Sequence, residues 1–246
     1  MRYFLEICYK GTRYAGFQIQ QNANTIQAEI ENALSILFKK HIELTGSSRT
    51  DAGVHAIQNY FHFDLEENFK PAFVYNLNAM LPQDIVVKSV FLVNENAHCR
   101  FQALSRKYHY FITSTKDPFS NETAWYYPYK LDMGLLNQAA ALLFNHTDYT
   151  SFSKRNTQAK TKECTIIQSE WKQEGEKLVF HIQANRFLRG MVRGLVGTML
   201  LVGREKISIA DFETIIRSKD CTKANFATPA HGLFLVEVAY PVTIKA

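Results

Sequence analysis

What most constrains this chain is how its apolar spacing switches between two periods. Over residues 3–9 aromatic and branched side chains crowd a short alternating run, the pattern of a half-buried strand. Over residues 24–40 the period lengthens, and Ile26, Ile30, Ala33, Leu34 and Leu37 form one helical stripe. Asn24 and Gln27 have the spacing of a capping box, and Lys39 and Lys40 suit the negative end of the helix dipole. Residues 60–64 alternate again. Lys70-Pro71 opens a second helix, striped by Phe73, Val74, Leu77 and Met80, which must stop before Pro82. Residues 84–93 follow as a strand.

The order then recurs. Residues 108–112 read as a strand, and Asp132 caps a helix that reaches Phe144. Residues 164–172 and 177–184 are strands joined by a turn at Glu174-Gly175-Glu176. A helix over 185–204 comes next, then one opened by Ser208 and Asp211, then a last strand over 233–238. The recurrence is one of elements, with no residue-level repeat. It predicts an α+β fold of two ferredoxin-like, RNA-recognition-like units with antiparallel sheets, residues 1–99 and 100–246, meeting at a central cleft.

With 246 residues and 46% hydrophobic content, the chain can bury a substantial core. Its formal charge of +5 permits a nucleic-acid partner without demanding one. Cys8, Cys99, Cys164 and Cys221 lie far apart, which argues against a zinc or redox motif and for free thiols in a reducing, cytoplasmic setting. Arg2 and Glu6 make the start unlike a signal peptide, and the apolar run 194–203 is too short to span a bilayer. No membrane partner is expected.

Chemistry concentrates in Gly46-Ser47-Ser48-Arg49-Thr50-Asp51-Ala52-Gly53-Val54-His55-Ala56. Glycines at both ends let the chain bend tightly, and a carboxylate on such a bend can project into a cleft. An ordinary surface turn with a solvated ion pair fits the same composition. The loop 10–18 carries Arg13, Tyr14, Phe17 and Gln18, a basic and aromatic mixture that suits RNA or, equally, a loop with its rings tucked inward. Lys154, Arg155, Lys160 and Lys162 crowd a polar loop after Thr150, which runs to Asn156. On the expected helix 185–204, Arg186, Arg189 and Arg193 share one face, either a phosphate-binding ridge or a solvated basic surface. His55 and His62 lack a third ligand at helical or hairpin spacing, so no metal is expected there. Cys99 has no paired base to make it a nucleophile.

These residues resemble a known family. Residues 46–56 look like the G-R-T-D-A-G-V-H-A signature of the TruA class of tRNA pseudouridine synthases. Tyr14-Ala15-Gly16-Phe17-Gln18 resembles that family's Y-x-G-F/W-Q loop, and Arg106-Lys107-Tyr108-His109-Tyr110 its R-x-Y-x-Y strand. Phe187-Leu188-Arg189-Gly190-Met191-Val192-Arg193 resembles its F-x-x-x-M-V-R helix, and Gly232-Leu233-Phe234-Leu235 its terminal strand. The matches keep family order over nearly the whole chain.

The resemblance implies isomerisation of uridine to pseudouridine in the anticodon arm of tRNA, by a homodimer without metal or cofactor. It assigns Asp51 as the nucleophile and Tyr108, Arg49 and Arg193 to the substrate. Arg193 would pair with Asp51, Tyr108 would stack on the uracil, and Arg49 would help to open or replace the flipped base. Arg13, Tyr14, Gln18, Lys154, Arg155, Arg186 and Arg189 would contact RNA. A non-catalytic RNA-binding protein would keep the aromatic and basic residues but has no need of an aspartate on a glycine turn. A carboxylate hydrolase would want a second acid, where the motifs offer arginine and tyrosine.

Overall fold

The computed structural model describes residues 1–155 and 161–245; Asn156 and Lys160 of the basic loop lie outside the described residues. The fold is α+β with mostly antiparallel strands. The chain divides into two compact units, Met1–Leu104 with Phe234–Ala246, and Ser105–Leu233. Residues after Leu233 thus group with the first unit.

The first unit runs β1 (Arg2–Tyr9), α1 (Ile26–Phe38), β2 (Thr45–Gly46), β3 (His55–Asp64), α2 (Ala72–Met80) and β4 (Ile85–Val93). β1 lies antiparallel between β4 and β3, and short β2 adds to β3. That is the strand order of a ferredoxin-like unit. The segment that returns from the C-terminus pairs parallel with the start of β3, Phe234 against His55 and Leu235 against Ala56.

Register sorts the side chains. Leu5 faces Phe61 and Ile7 faces Asn59 across the β1–β3 pair, so these residues share one side of the sheet. Leu5, Ile7, Phe61 and Asn59 are completely buried, as are Ile30 and Leu34 of α1. Phe4 and Tyr60 lie on the other side and cluster with Phe91 and Tyr240. α1 begins one residue later than expected. Thr25, not Asn24, is the N-cap and accepts from the Ala28 amide at 3.3 Å. Gln27 is drawn inward instead, donating to Glu31 and to the Leu44 carbonyl.

His62, on the Phe4 side, meets two residues far away in sequence. Its Nδ1 is 3.1 Å from Cys99 Sγ, and its ring lies 4.7 Å from that of His98. The donor atoms of His62, His98 and Cys99 fall within 4.8 Å of one another, a grouping invisible in the sequence. They are engaged within the fold: the thiol donates to the Thr45 carbonyl, and His98 Nδ1 accepts from the Arg100 amide. Cys99 therefore does have an imidazole beside it, but the thiol is completely buried.

The second unit is a three-stranded antiparallel sheet of β5 (Ser105–Thr113), β8 (Lys177–Ala184) and β7 (Ile166–Glu174), with β6 (Trp125–Tyr126) parallel to the end of β5. Gly175, at φ +59°, makes the expected turn between β7 and β8. The helices are α3 (Met133–Leu142), α4 (Met191–Gly203) and α5 (Ile209–Arg217). Asp132 caps α3, and Ser208 with Asp211 forms a full capping box on α5. α4 is apolar nearly all round and buried, as befits the central helix of this unit.

α4 corrects one expectation. It starts at Met191, not near Asn185, because Gly190 takes the left-handed conformation at φ +75°. Arg186 and Arg189 precede the helix, so the three arginines do not form a ridge on one helical face. Among the described residues, no helix is long and apolar enough to cross a membrane. All four cysteines are free thiols.

Two predictions follow from packing and burial. A Cβ on Gly197 of α4 would lie 2.3 Å from the Asn225 carbonyl oxygen and 2.5 Å from Thr228 Oγ1. Gly197→Ala should cost about 2–3 kcal/mol by urea denaturation, despite the better helix propensity of alanine. His62 is only 6% exposed, and burial, then the neighbouring His98 and Arg2, lower its pKa from 6.5 to about 4. Its unfolded form takes up a proton as pH falls below 6.5, while the folded form resists until near 4. The stability it contributes is present above pH 6.5 and is lost as pH falls through this window. His62→Gln should therefore shrink the stability difference between about pH 7 and about pH 4.5 by roughly 2 kcal/mol.

Candidate functional site

In the first unit, the chain leaves β2 at Gly46 and enters β3 at His55. Burial alternates on the way: Ser48 and Thr50 are each 8% exposed, Arg49 is exposed, and Asp51 is half-buried. Ser47, just before them, is buried as well, so three hydroxylated residues pack against the fold beside the exposed Arg49. Buried polar groups need partners, and several elements supply them. The Ser47 amide donates to the Tyr60 carbonyl at 2.8 Å, and Asn59 Nδ2 donates to the Ser48 carbonyl at 2.8 Å. The Phe17 amide donates to the Thr50 carbonyl at 3.1 Å, and the Tyr9 and Thr50 hydroxyls share a hydrogen bond of 2.8 Å.

After Asp51 the chain turns sharply. The Val54 amide donates to the Asp51 carbonyl at 3.1 Å, with Gly53 at φ +77°. His55 is buried and its Nδ1 accepts from the Gly11 amide at 3.0 Å. Gly46 leaves room for Phe17, since a Cβ there would lie 2.2 Å from that ring. Phe17 itself stacks on Phe61 at 4.4 Å. The loop's glycines thus serve both the turn and the close packing beneath it.

The loop 10–18 is tied down by acid and amide. Arg13 forms an ion pair of 2.8 Å with Asp84, and the Tyr14 hydroxyl donates to the same carboxylate at 2.6 Å. Burial, then this hydrogen bond, raises the Tyr14 pKa, so the phenol keeps its proton. Tyr14 is only 5% exposed, and its ring packs in the core rather than standing out as a platform for a base. Gln18 is exposed, and its Oε1 accepts from Arg49 Nη1 at 3.1 Å. The structure thereby joins Gln18 to Arg49, and Arg13 to Tyr14 through Asp84.

In the second unit, Tyr108 sits on β5 opposite Ile182 and meets Phe187 edge-on at 5.1 Å. Arg193 lies in the first turn of α4. Its Nε donates to the Thr228 carbonyl at 2.7 Å, and the Thr228 hydroxyl returns a bond to the Arg193 carbonyl at 2.9 Å. Gly194 and Gly197 let residues 225–228 approach this closely: a Cβ on Gly194 would meet the Phe226 ring at 2.7 Å. The Arg193 guanidinium is thus tied at Nε to a main-chain carbonyl.

Other cations gather before the same helix. The Lys154 amide donates to the Arg189 carbonyl, and the Lys154 stem lies across Gly190, the N-cap of α4. Arg186 Nη1 donates to Thr161 at 3.1 Å, and Lys162 Nζ to Ser153 at 3.3 Å. Arg155 and Arg189 are exposed. A helix N-terminus with cations beside it suits an anionic partner. Asn59, Tyr9, Asp84 and Thr228 were not singled out from the sequence. The signals were there in part: Asn59 is a polar residue inside an apolar alternating run, and Asp84 follows Pro82 just before a strand.

The sequence pattern of a family described as tRNA pseudouridine synthase matches residues 7–102 and 139–241. The tRNA pseudouridine synthase A of Parabacteroides distasonis is 46% identical over 242 residues, covering 98% of this chain and 96% of that protein. That of Bacteroides fragilis is 46% identical over 248 residues, covering 99% and 98%. That of Staphylococcus aureus is 36% identical over 241 residues, covering 97% and 90%. The matched stretches contain both the Asp51 loop of the first unit and the Arg193 helix of the second, so the chain belongs to the TruA family of tRNA pseudouridine synthases.

Proposed function

We propose that this protein isomerises uridine to pseudouridine in the anticodon stem-loop of tRNA, at about positions 38 to 40, with Asp51 as its nucleophile and no cofactor. The observation that carries the reading is the built Asp51 loop. A half-buried carboxylate follows two inward-facing hydroxyl residues whose bonds come from three separate elements. A surface turn would not need that support.

The reaction breaks the N1–C1′ bond, turns the uracil and joins C5 to C1′. N1 gains a proton and C5 loses one, so the product is an isomer. Attack at C1′, addition at C6 and passage through a glycal all require an ionised carboxylate at this point. Tyr108, braced edge-on by Phe187, stacks on the uracil or assists removal of the C5 proton. Arg193 serves the reacting carboxylate and substrate as a guanidinium tethered at Nε to the Thr228 carbonyl. Arg49, next to Asp51 on the loop and exposed, assists opening of the stem, where lifting a base from its stack costs a few kcal/mol.

Lys154, Arg155, Arg186 and Arg189 contact phosphates near the start of α4, and Arg13 and Gln18 do so from the first unit. Tyr14 contributes by holding its loop through Asp84. The protein acts in the cytoplasm as a homodimer, with tRNA across both subunits.

Asp51→Asn decides the central point. Turnover of a uridine-containing anticodon stem-loop should fall by more than about a thousandfold while tRNA binding stays within about threefold. Pseudouridine formation at the wild-type rate would sink the assignment, and a non-catalytic RNA-binding protein would show no turnover in either form. Arg193→Lys should lower turnover about tenfold or more with a smaller loss of binding, because a point charge does not reproduce a planar fork. Equal losses in turnover and binding would reduce Arg193 to a phosphate contact.

A further inference from the structure

We infer that Asn59 and Tyr9 are positioning residues, which act through Thr50 to fix where Asp51 stands. The inference rests on the reading of Asp51 as nucleophile. Asn59 sits on the core side of β3 opposite Ile7, completely buried. An apolar residue would fill that place at no desolvation cost, whereas an amide there needs every bond it can make. Asn59 makes them. Its Oδ1 accepts from the Tyr60 amide at 2.9 Å, and its Nδ2 donates to the Ser48 carbonyl at 2.8 Å and to the Tyr9 oxygen at 3.2 Å.

The third bond extends the chain of groups to the loop before Asp51. The phenol oxygen that accepts from Asn59 also shares a hydrogen bond of 2.8 Å with Thr50 Oγ1, in which either oxygen can donate. Asn59, Tyr9 and Thr50 are thereby linked in one continuous run of hydrogen bonds. Thr50 is then held twice, at its hydroxyl by Tyr9 and at its carbonyl by the Phe17 amide. Ser48 is held at its carbonyl by Asn59 itself. The residues just before Asp51 are thus referred to β1, β3 and the loop around Phe17. Asp51 inherits that position through one peptide bond. Neither Asn59 nor Tyr9 need touch RNA, so their effect should appear in turnover and not in binding.

Tyr9→Phe removes one oxygen and keeps the ring, and Thr50→Val removes the hydroxyl and keeps the branched shape. Each should lower kcat about tenfold with KM and tRNA affinity changed by less than about twofold, since misplacement by a fraction of an ångström is costly to a reacting group. The double variant should be no slower than the slower single variant, because both substitutions break the same bond. Thr50→Ser should restore most of the rate. Asn59→Asp, which keeps size but loses both donors, should cost more than either. Melting temperatures of each variant, with assays run well below them, separate lost position from lost fold. Asp51→Asn is measured alongside. If it is inactive while Tyr9→Phe and Thr50→Val turn over at the wild-type rate, or if their losses multiply, the positioning role is overturned and the nucleophile stands. If Asp51→Asn turns over normally, the nucleophile reading itself fails.

Discussion

A buried amide in an apolar sheet is the constraint on which the first unit turns. Asn59 cannot stay unpaired on the core side of β3, and the groups that satisfy it belong to the loop before Asp51 and to β1. The same bonds that remove its desolvation penalty fix a surface segment to the core. The burial of Ser48 and Thr50 beside the exposed Arg49 accords with this. Phe17, stacked on Phe61 and fitted over Gly46, closes the remaining space and supplies the amide for Thr50. Packing and hydrogen bonding support one another here.

The second unit reaches a comparable rigidity by a different route. Gly194 and Gly197 remove side chains from one side of α4, so residues 225–228 lie directly on the helix. Arg193 and Thr228 then exchange bonds at main-chain distance. The cost is backbone entropy at two helical glycines, and the return is a guanidinium tethered at Nε to the Thr228 carbonyl. Gly232 shows the same economy of space, since a Cβ there would press within 2.8 Å of the Tyr110 ring.

Much of the fold was legible in the spacing of apolar residues. The strands and helices fall close to where periodicity put them, because each element buries one face and the period records that burial. Asp132, Ser208 and Asp211 announced their helix starts, since capping is a local matter of a few residues. The failures were also local in appearance but not in cause. Thr25 displaced Asn24 as a cap because Gln27 found better partners at Glu31 and Leu44. The arginine ridge dissolved because Gly190 adopts a left-handed conformation that periodicity does not register. The parallel pairing of Phe234 and Leu235 with His55 and Ala56 at the start of β3 joins residues far apart in the chain, and spacing carries no sign of it.

The sequence alone determined that the chain is an α+β fold that alternates strands and helices. Its motifs, in order, also determined the family, because five separate stretches had to agree. It marked Asp51 through the likeness of the residues on either side to the family's signature, since a carboxylate on a glycine turn by itself fits an ordinary surface turn as well. Only the tertiary structure decided what holds that carboxylate in place. Asn59 and Tyr9 are fifty residues apart in the chain and 3.2 Å apart in space. Their meeting depends on the register of β1 against β3, a property of the pleated pair and not of either strand.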